Sequence, residues 1–212
     1  TGSALCGRWA MTFMSPTAST RRAKPSHEPW AAHQYQRRAV EHLTQQAVAA
    51  LFLDPGLGKT SIVLAAFREL HDAGLASRML VIAPLRVCQT VWRQEGQKWT
   101  EFRDLRFSLL HGPKKAERLK DDADVWLINP EGVDWLATQY LGRQLPFDTV
   151  VIDELTKFKN PSAKRCKALR KRIERTPRKW GLTGTPAPNG YMDLFGQFLI
   201  LDGGAALGKY TT

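Results

Sequence analysis

The stretch Leu51-Phe52-Leu53-Asp54-Pro55-Gly56-Leu57-Gly58-Lys59-Thr60 decides the fold. It runs from an apolar segment, through a proline and two glycines, into a segment with helical apolar spacing. Gly56 and Gly58 let backbone N–H groups turn inward around a phosphate. A helix beginning near Lys59 brings the positive end of its dipole to the same place. Lys59 would then reach the β- and γ-phosphates of a nucleotide, and the Thr60 hydroxyl would hold Mg²⁺. The strict phosphate-loop pattern places glycine at position 53, where this chain has Leu53. Taken alone, a Gly-Lys-Thr string also fits a plain glycine turn that ends on a lysine, so its neighbours have to decide.

Outward from this loop, strand-like and helix-like segments alternate. Helices are expected over Ala32–Ala47, Thr60–His71, Val87–Trp99, Ser162–Arg175 and Met192–Leu201. Strands are expected over Ala49–Leu53, Met79–Ala83, Arg106–Leu110, Val125–Ile128, Thr149–Ile152 and Trp180–Leu182. Apolar strands alternating with helices imply an α/β fold: a three-layer, mostly parallel central sheet with helices on both faces. Such sheets bind ligands at the carboxyl ends of their strands.

One strand of this kind, Val150-Val151-Ile152-Asp153-Glu154, ends in two adjacent carboxylates. Each charge costs several kcal/mol to bury unpaired, so a buried strand has no packing use for them. A metal ion removes the difficulty. Asp153 would bind Mg²⁺, directly or through water, together with Thr60, and Glu154 would polarise the attacking water. An Asp-Glu pair that merely caps a following helix is the plainer alternative.

Together these strings resemble the first lobe of superfamily 2 helicases, and within them the Swi/Snf-type translocases, small phage and bacterial versions above all. His33-Gln34-Tyr35-Gln36 is similar to the family's adenine-reading Q motif, with Gln36 as reader. Asp54–Thr60 resembles motif I, whose relatives tolerate a residue other than glycine at position 53. Val81–Arg86, followed by Trp92 and Trp99, is similar to motif Ia, and Arg86 is implied as a DNA contact. His111-Gly112 and Asn129-Pro130-Glu131-Gly132 match the next two blocks loosely. Asp153-Glu154-Leu155-Thr156 resembles motif II but carries Leu155 for alanine and Thr156 for histidine, which leaves both carboxylates and puts the relay of the fourth residue in doubt. Leu182–Asn189 resembles motif III, so Thr183, Gly184 and Thr185 are implied to couple nucleotide site and DNA track. The resemblance spans about residues 30 to 201. It implies a RecA-like domain using ATP and Mg²⁺, with Asp54, Pro55, Gly56, Leu57, Gly58, Lys59, Thr60 and Ser61 around the nucleotide and with Lys59 and Glu154 as catalytic residues.

The formal charge of +11 on 212 residues favours a polyanionic partner. Between Lys157 and Lys179 stand eleven Lys or Arg residues against one acid, Glu174. Lys164, Lys167, Lys171 and Arg175 recur at helical spacing and would track phosphates of single- or double-stranded DNA, unless the face is simply solvated. The tryptophans at 92, 99, 126, 135 and 180 sit among apolar residues, which reads as core packing rather than base stacking. Cys6, Cys88 and Cys166 show no metal-ligand spacing, and no apolar run approaches the ~20 residues that span a bilayer. A reducing cytoplasm and no membrane partner are therefore expected, and the resemblance to phage and bacterial versions implies a bacterial or phage-infected cell.

Residues 1–29 are expected to be a disordered arm or a non-native remnant, since Ser15–Pro29 is rich in Ser, Thr, Pro and basic residues. Residues 30–212 are expected to form the ATP-binding lobe. No motif after Leu201 would form the second RecA-like lobe that the resemblance implies, so the chain is expected to be a piece of a longer motor. A non-hydrolysing nucleic-acid-binding or regulatory module that keeps the fold is the alternative. A small phosphate-loop kinase or metabolic ATPase is a third, opposed by the Q-like and Thr-Gly-Thr-Pro strings.

Overall fold

The computed structural model describes residues 28–207 apart from Gly142. The expected N-terminal arm therefore lies outside the described residues, except for Glu28 and Pro29. These two correct its boundary. Glu28 pairs with Trp99 in a parallel bridge, its N–H donating to Lys98 O (3.2 Å) and its carbonyl accepting from Thr100 N (3.0 Å), so the folded unit includes at least two residues before position 30.

Six strands form one open sheet in the order β1-β6-β5-β2-β4-β3, and every pairing is parallel. They are β1 (Val48–Phe52), β2 (Met79–Ile82), β3 (Phe107–Leu109), β4 (Val125–Ile128), β5 (Thr149–Asp153) and β6 (Arg178–Thr183). Because side chains alternate along a strand, the strands β2, β4 and β5 each feed two cores. Leu51, Met79, Val81, Val125, Leu127, Val151, Trp180 and Leu182 face one side. Leu80, Ile82, Trp126, Ile128, Val150 and Ile152 face the other. A strand buried on both faces has no polar alternation, which is why Met79–Ile82 and Val125–Ile128 read as unbroken apolar runs.

Helices cover the two faces as expected. The first core is closed by α1 (Gln34–Gln45) and α2 (Lys59–Asp72), through Val40, Leu43, Ile62 and Phe67. The second is closed by α6 (Val133–Gln139), α7 (Lys164–Ile173) and α8 (Met192–Asp202), through Leu136, Leu169, Ile173 and Ile200. Trp92, Trp126 and Trp180 are fully buried, and Trp99 and Trp135 are partly buried against the cores, so the tryptophans pack rather than stack on bases.

Three local features differ from expectation. The helix expected over Val87–Trp99 is broken into α3 (Leu85–Val87), a π turn (Cys88–Trp92) and α4 (Arg93–Lys98). The short helix α5 (Lys115–Arg118) and helix α6 were not anticipated. For α6 a signal was present: Pro130 opens the preceding 3-10 turn, and Val133, Leu136 and Ala137 bury one face at helical spacing.

Candidate nucleotide site

The loop after β1 begins in an exposed run, Asp54–Leu57, and ends where Gly58 caps α2. Gly56 and Gly58 both lie at positive φ, 86° and 74°. Gly58 is doubly constrained, because a Cβ there would lie 2.5 Å from Gln36 Nε2. No side chain caps the amino end of α2 and its first turn holds no acid. Its first N–H groups are thus left to the loop's concave side, together with the positive end of a helix of 14 residues. Lys59 is half-buried, and its Nζ folds back to donate to Leu53 O (2.7 Å) and Asp54 O (3.1 Å). These two carbonyl bonds keep the ammonium over the loop.

Thr60 is buried in the first turn of α2. The hydroxyl of its neighbour Ser61 points elsewhere, donating to Glu95 Oε2 at 2.7 Å. Ser61 therefore meets the loop through its backbone alone.

Gln36, 7% exposed, anchors the loop from α1. Its Oε1 accepts from His33 N (2.9 Å), and its Nε2 donates to Leu57 O (3.3 Å). Tyr35 Oη donates to the same carbonyl at 3.1 Å, a contact that sequence reading missed. Both ends of the Gln36 amide are thus bonded to backbone.

The carboxylates of the second string separate. Asp153 ends β5 and is only 9% exposed, while Glu154 is exposed and left-handed (φ 62°), the one such non-glycine among the described residues. Trp92 Nε1 donates to Asp153 Oδ2 at 3.0 Å, and Glu154 N donates to Asp153 Oδ1 at 3.1 Å. Burial holds the Asp153 carboxyl above the ordinary carboxylate range and the charge of Glu154 adds to this, while the Trp92 bond and the charge of Lys59 oppose it. Leu155 is fully buried. A Cβ on Gly181 would lie 2.5 Å from its Cδ2, so glycine on β6 makes the room that leucine fills.

Strand order brings these parts together. β6 lies between β1 and β5, with Phe52 opposite Thr183 and Asp153 opposite Leu182, so three strands end side by side. Leu53 N donates to Thr183 O (3.1 Å), and Thr185 N donates to Thr183 Oγ1 (3.1 Å). A Cβ on Gly184 would stand 3.0 Å from Pro55 Cδ and 3.4 Å from Leu53 O, so the third string packs against the loop itself.

The residues fit a Mg²⁺–nucleotide. A buried carboxylate with no ion-pair partner among the described residues calls for a cation. No cluster of three or more His, Cys, Asp or Glu side chains suited to a metal occurs among the described residues. One carboxylate and one hydroxyl match an ion that takes its other ligands from phosphates and water.

A family profile described as the SNF2-related domain matches residues 35–206 of this chain. The chain belongs to the SNF2-related family. This SNF2-related domain is 36% identical over 184 residues to protein p41 of Acyrthosiphon pisum secondary endosymbiont phage 1, covering 82% of this chain and 40% of that one. It is 31% identical over 172 residues to the human DNA excision repair protein ERCC-6-like, covering 75% of this chain and 13% of that one. The Sulfolobus solfataricus SWI2/SNF2 ATPase core in complex with dsDNA superposes with a TM-score of 0.71 at 26% identity, over 88% of this chain and 39% of that one. The SNF2-related domain thus spans well under half the length of these relatives, and its sheet matches the RecA-like fold of the Sulfolobus ATPase core.

The basic residues of the SNF2-related domain do not form one track. Arg86 is exposed just past the carboxyl end of β2. Helix α7 begins after β5 ends and leads back to the start of β6, so it runs antiparallel to the strands. Lys164 is therefore toward the carboxyl edge of the sheet, while Lys171 and Arg175 are toward the amino edge. There a cleft of about 780 Å³ is lined by Lys167, Arg170, Lys171, Lys179, Glu174 and Asp202, away from the phosphate loop. Lys164, Lys167, Lys171 and Arg175 are all exposed. No helix among the described residues is long and apolar enough to cross a membrane.

Proposed function

We propose that this domain is the first lobe of a DNA-dependent ATPase motor, binding Mg²⁺–ATP at the carboxyl ends of β1, β6 and β5 and hydrolysing it once a second RecA-like lobe faces it. The observation that carries the reading is the convergence of Lys59–Thr60, Asp153–Glu154 and Thr183–Thr185 on three adjacent strand ends. Backbone N–H groups of Gly56, Gly58, Lys59, Thr60 and Ser61 would hold the phosphates, and Lys59 Nζ would leave its two carbonyls for the γ-phosphate. Gln36 would read adenine on releasing Leu57 O, and Asp54, Pro55 and Leu57 would complete the loop around the nucleotide. Thr60 and Asp153 would hold Mg²⁺, which when bound neutralises charge developing on the phosphates. Glu154, exposed and held in a left-handed turn, would accept a hydrogen bond from the attacking water. Thr183, Gly184 and Thr185, packed on Pro55 and Leu53, would pass movement of the loop to the DNA side, where Arg86 and Lys164 stand. The neighbour solved with dsDNA supports duplex DNA as the track.

Titrating a fluorescent ATP analogue with Mg²⁺ against the parent chain and Lys59→Ala tests the site. The variant is expected to lose most affinity while its melting temperature falls little, because each carbonyl bond lost is worth about 0.5–1.5 kcal/mol net. Equal affinities would overturn the assignment. Turnover by the 212 residues alone is expected near background with or without DNA, since an arginine finger from a facing lobe is worth about 10³–10⁵ in rate. A longer protein carrying that lobe should show DNA-stimulated turnover that Glu154→Gln removes while ATP stays bound. Robust DNA-stimulated hydrolysis by the present chain as a monomer would refute the half-motor reading.

A further inference from the structure

Two polar contacts, one buried and one part-buried, tie the segment Leu85–Lys98 to the nucleotide site. Trp92, fully buried on the π turn, donates Nε1–H to Asp153 Oδ2 at 3.0 Å across 61 residues of sequence. Three residues further on, Glu95 Oε2 accepts from Ser61 Oγ (2.7 Å) and from Trp99 Nε1 (2.7 Å). Ser61 directly follows Thr60 in the first turn of α2. One segment thus grips both the β5 carboxylate and the turn that carries the threonine hydroxyl.

A buried indole needs one acceptor, and a backbone carbonyl suffices, as Gln46 O does for Trp180 Nε1 at 3.3 Å. Packing alone therefore does not explain why Trp92 uses the buried carboxylate at the tip of β5. With Trp92 Nε1 on Oδ2 and Glu154 N on Oδ1, each carboxylate oxygen carries one donor and the plane of the group is fixed. Outer partners of this kind orient a metal-binding carboxylate, and removing one typically costs about 10–100-fold in metal affinity. A π turn inside a helix is itself a frequent mark of a functional position.

We propose that Trp92 is a positioning residue for the metal-binding carboxylate of Asp153, with Glu95 holding the adjacent Thr60–Ser61 turn, so that the segment Leu85–Lys98 sets the spacing of the two metal ligands. This rests on the reading of Asp153 and Thr60 as Mg²⁺ ligands.

The test compares the affinity of a fluorescent ATP analogue in excess EDTA and in Mg²⁺, for the parent chain, Trp92→Phe and Asp153→Asn. Phenylalanine keeps most of the buried ring and removes only the donor. In Trp92→Phe the enhancement by Mg²⁺ should fall about tenfold with the EDTA affinity unchanged, and in Asp153→Asn the enhancement should vanish. A parental enhancement in Trp92→Phe, with loss in Asp153→Asn, would overturn the positioning role and leave the metal assignment standing. Equal loss with and without metal would also overturn it, as a merely structural effect. A parental enhancement in Asp153→Asn would overturn the underlying assignment instead. Should Trp92→Phe fail to fold, ¹⁵N-labelled parent protein supplies the second measurement. The indole N–H signal that shifts in Asp153→Asn must then also shift when Mg²⁺ is added to the ATP-saturated chain, and an indole unmoved by Mg²⁺ would overturn the role.

Discussion

Asp153 concentrates the electrostatics of the site in one side chain. Burial raises its carboxyl above the ordinary range, so the folded chain binds this proton more tightly than the unfolded chain does. Stability then falls as pH rises from the ordinary aspartate value of about 3.9 through the raised folded value, and the full penalty is present above that. Without Mg²⁺ and nucleotide, Asp153→Asn is therefore expected to melt above the parent at pH 7 and level with it near pH 3. Each kcal/mol of relief should appear as about 2–4 °C in a chain of this size. A lower melting point at pH 7 would mean that the Trp92 bond to the charged group outweighs its burial. Glu154 carries a different cost, the left-handed backbone that non-glycine residues accept at about 1–3 kcal/mol, which is the kind of strain that persists where function requires the geometry. Of these residue-level features the adjacent carboxylates were legible in the sequence. The Trp92 bond was not, because nothing local marks an indole whose acceptor lies 61 residues away.

At the scale of elements, α8 is held against the loop that follows the carboxylates by the absence of a side chain. A Cβ on Gly196 would run into the carbonyl of Lys159, which is backbone and cannot swing aside. Gln197 fastens the same helix to the third string, its Nε2 donating to Pro186 O at 2.5 Å. Alanine is ordinarily favoured over glycine in a helix by about 1 kcal/mol. Gly196→Ala is nevertheless expected to destabilise the domain by about 1–3 kcal/mol, the usual cost of overpacking, and urea denaturation would measure it. A neutral or stabilising result would show that α8 can stand away from residue 159. Most elements were legible because their apolar spacing is local. The break in the helix after β2 was not, since a π turn leaves no mark in apolar spacing, and α6 is short enough to pass for a loop.

At the scale of the whole molecule the net charge is +11, and the basic residues of the described part lie on edges that face different ways. Because α7 runs antiparallel to the sheet, a duplex lying along the carboxyl edge would meet Lys164 before it could meet Lys171 or Arg175. Reversing Arg86 and Lys164 is therefore expected to weaken DNA binding for every sequence alike and to flatten the salt dependence by about one unit per lost phosphate contact. Reversing Lys171 and Arg175 should change the slope less. Equal slopes in the two double variants, read from binding titrations across salt concentrations, would show that the DNA does not follow the carboxyl edge.

The sequence by itself determined what depends on neighbours along the chain: apolar runs buried on both faces, a glycine loop feeding a helix, two carboxylates at a strand tip, and a Thr-Gly-Thr turn. These are local because a strand's alternation, a glycine's positive φ and a helix's free N–H groups are properties of a few consecutive residues. Only the tertiary structure decided that β6 threads between β1 and β5, which sets three separate strings side by side. It also decided that Gly184 closes on Pro55, that Gly181 makes room for Leu155, and that Trp92 reaches Asp153. Strand order is set by which apolar faces bury each other across the whole sheet, a competition among distant segments that no single stretch of sequence records.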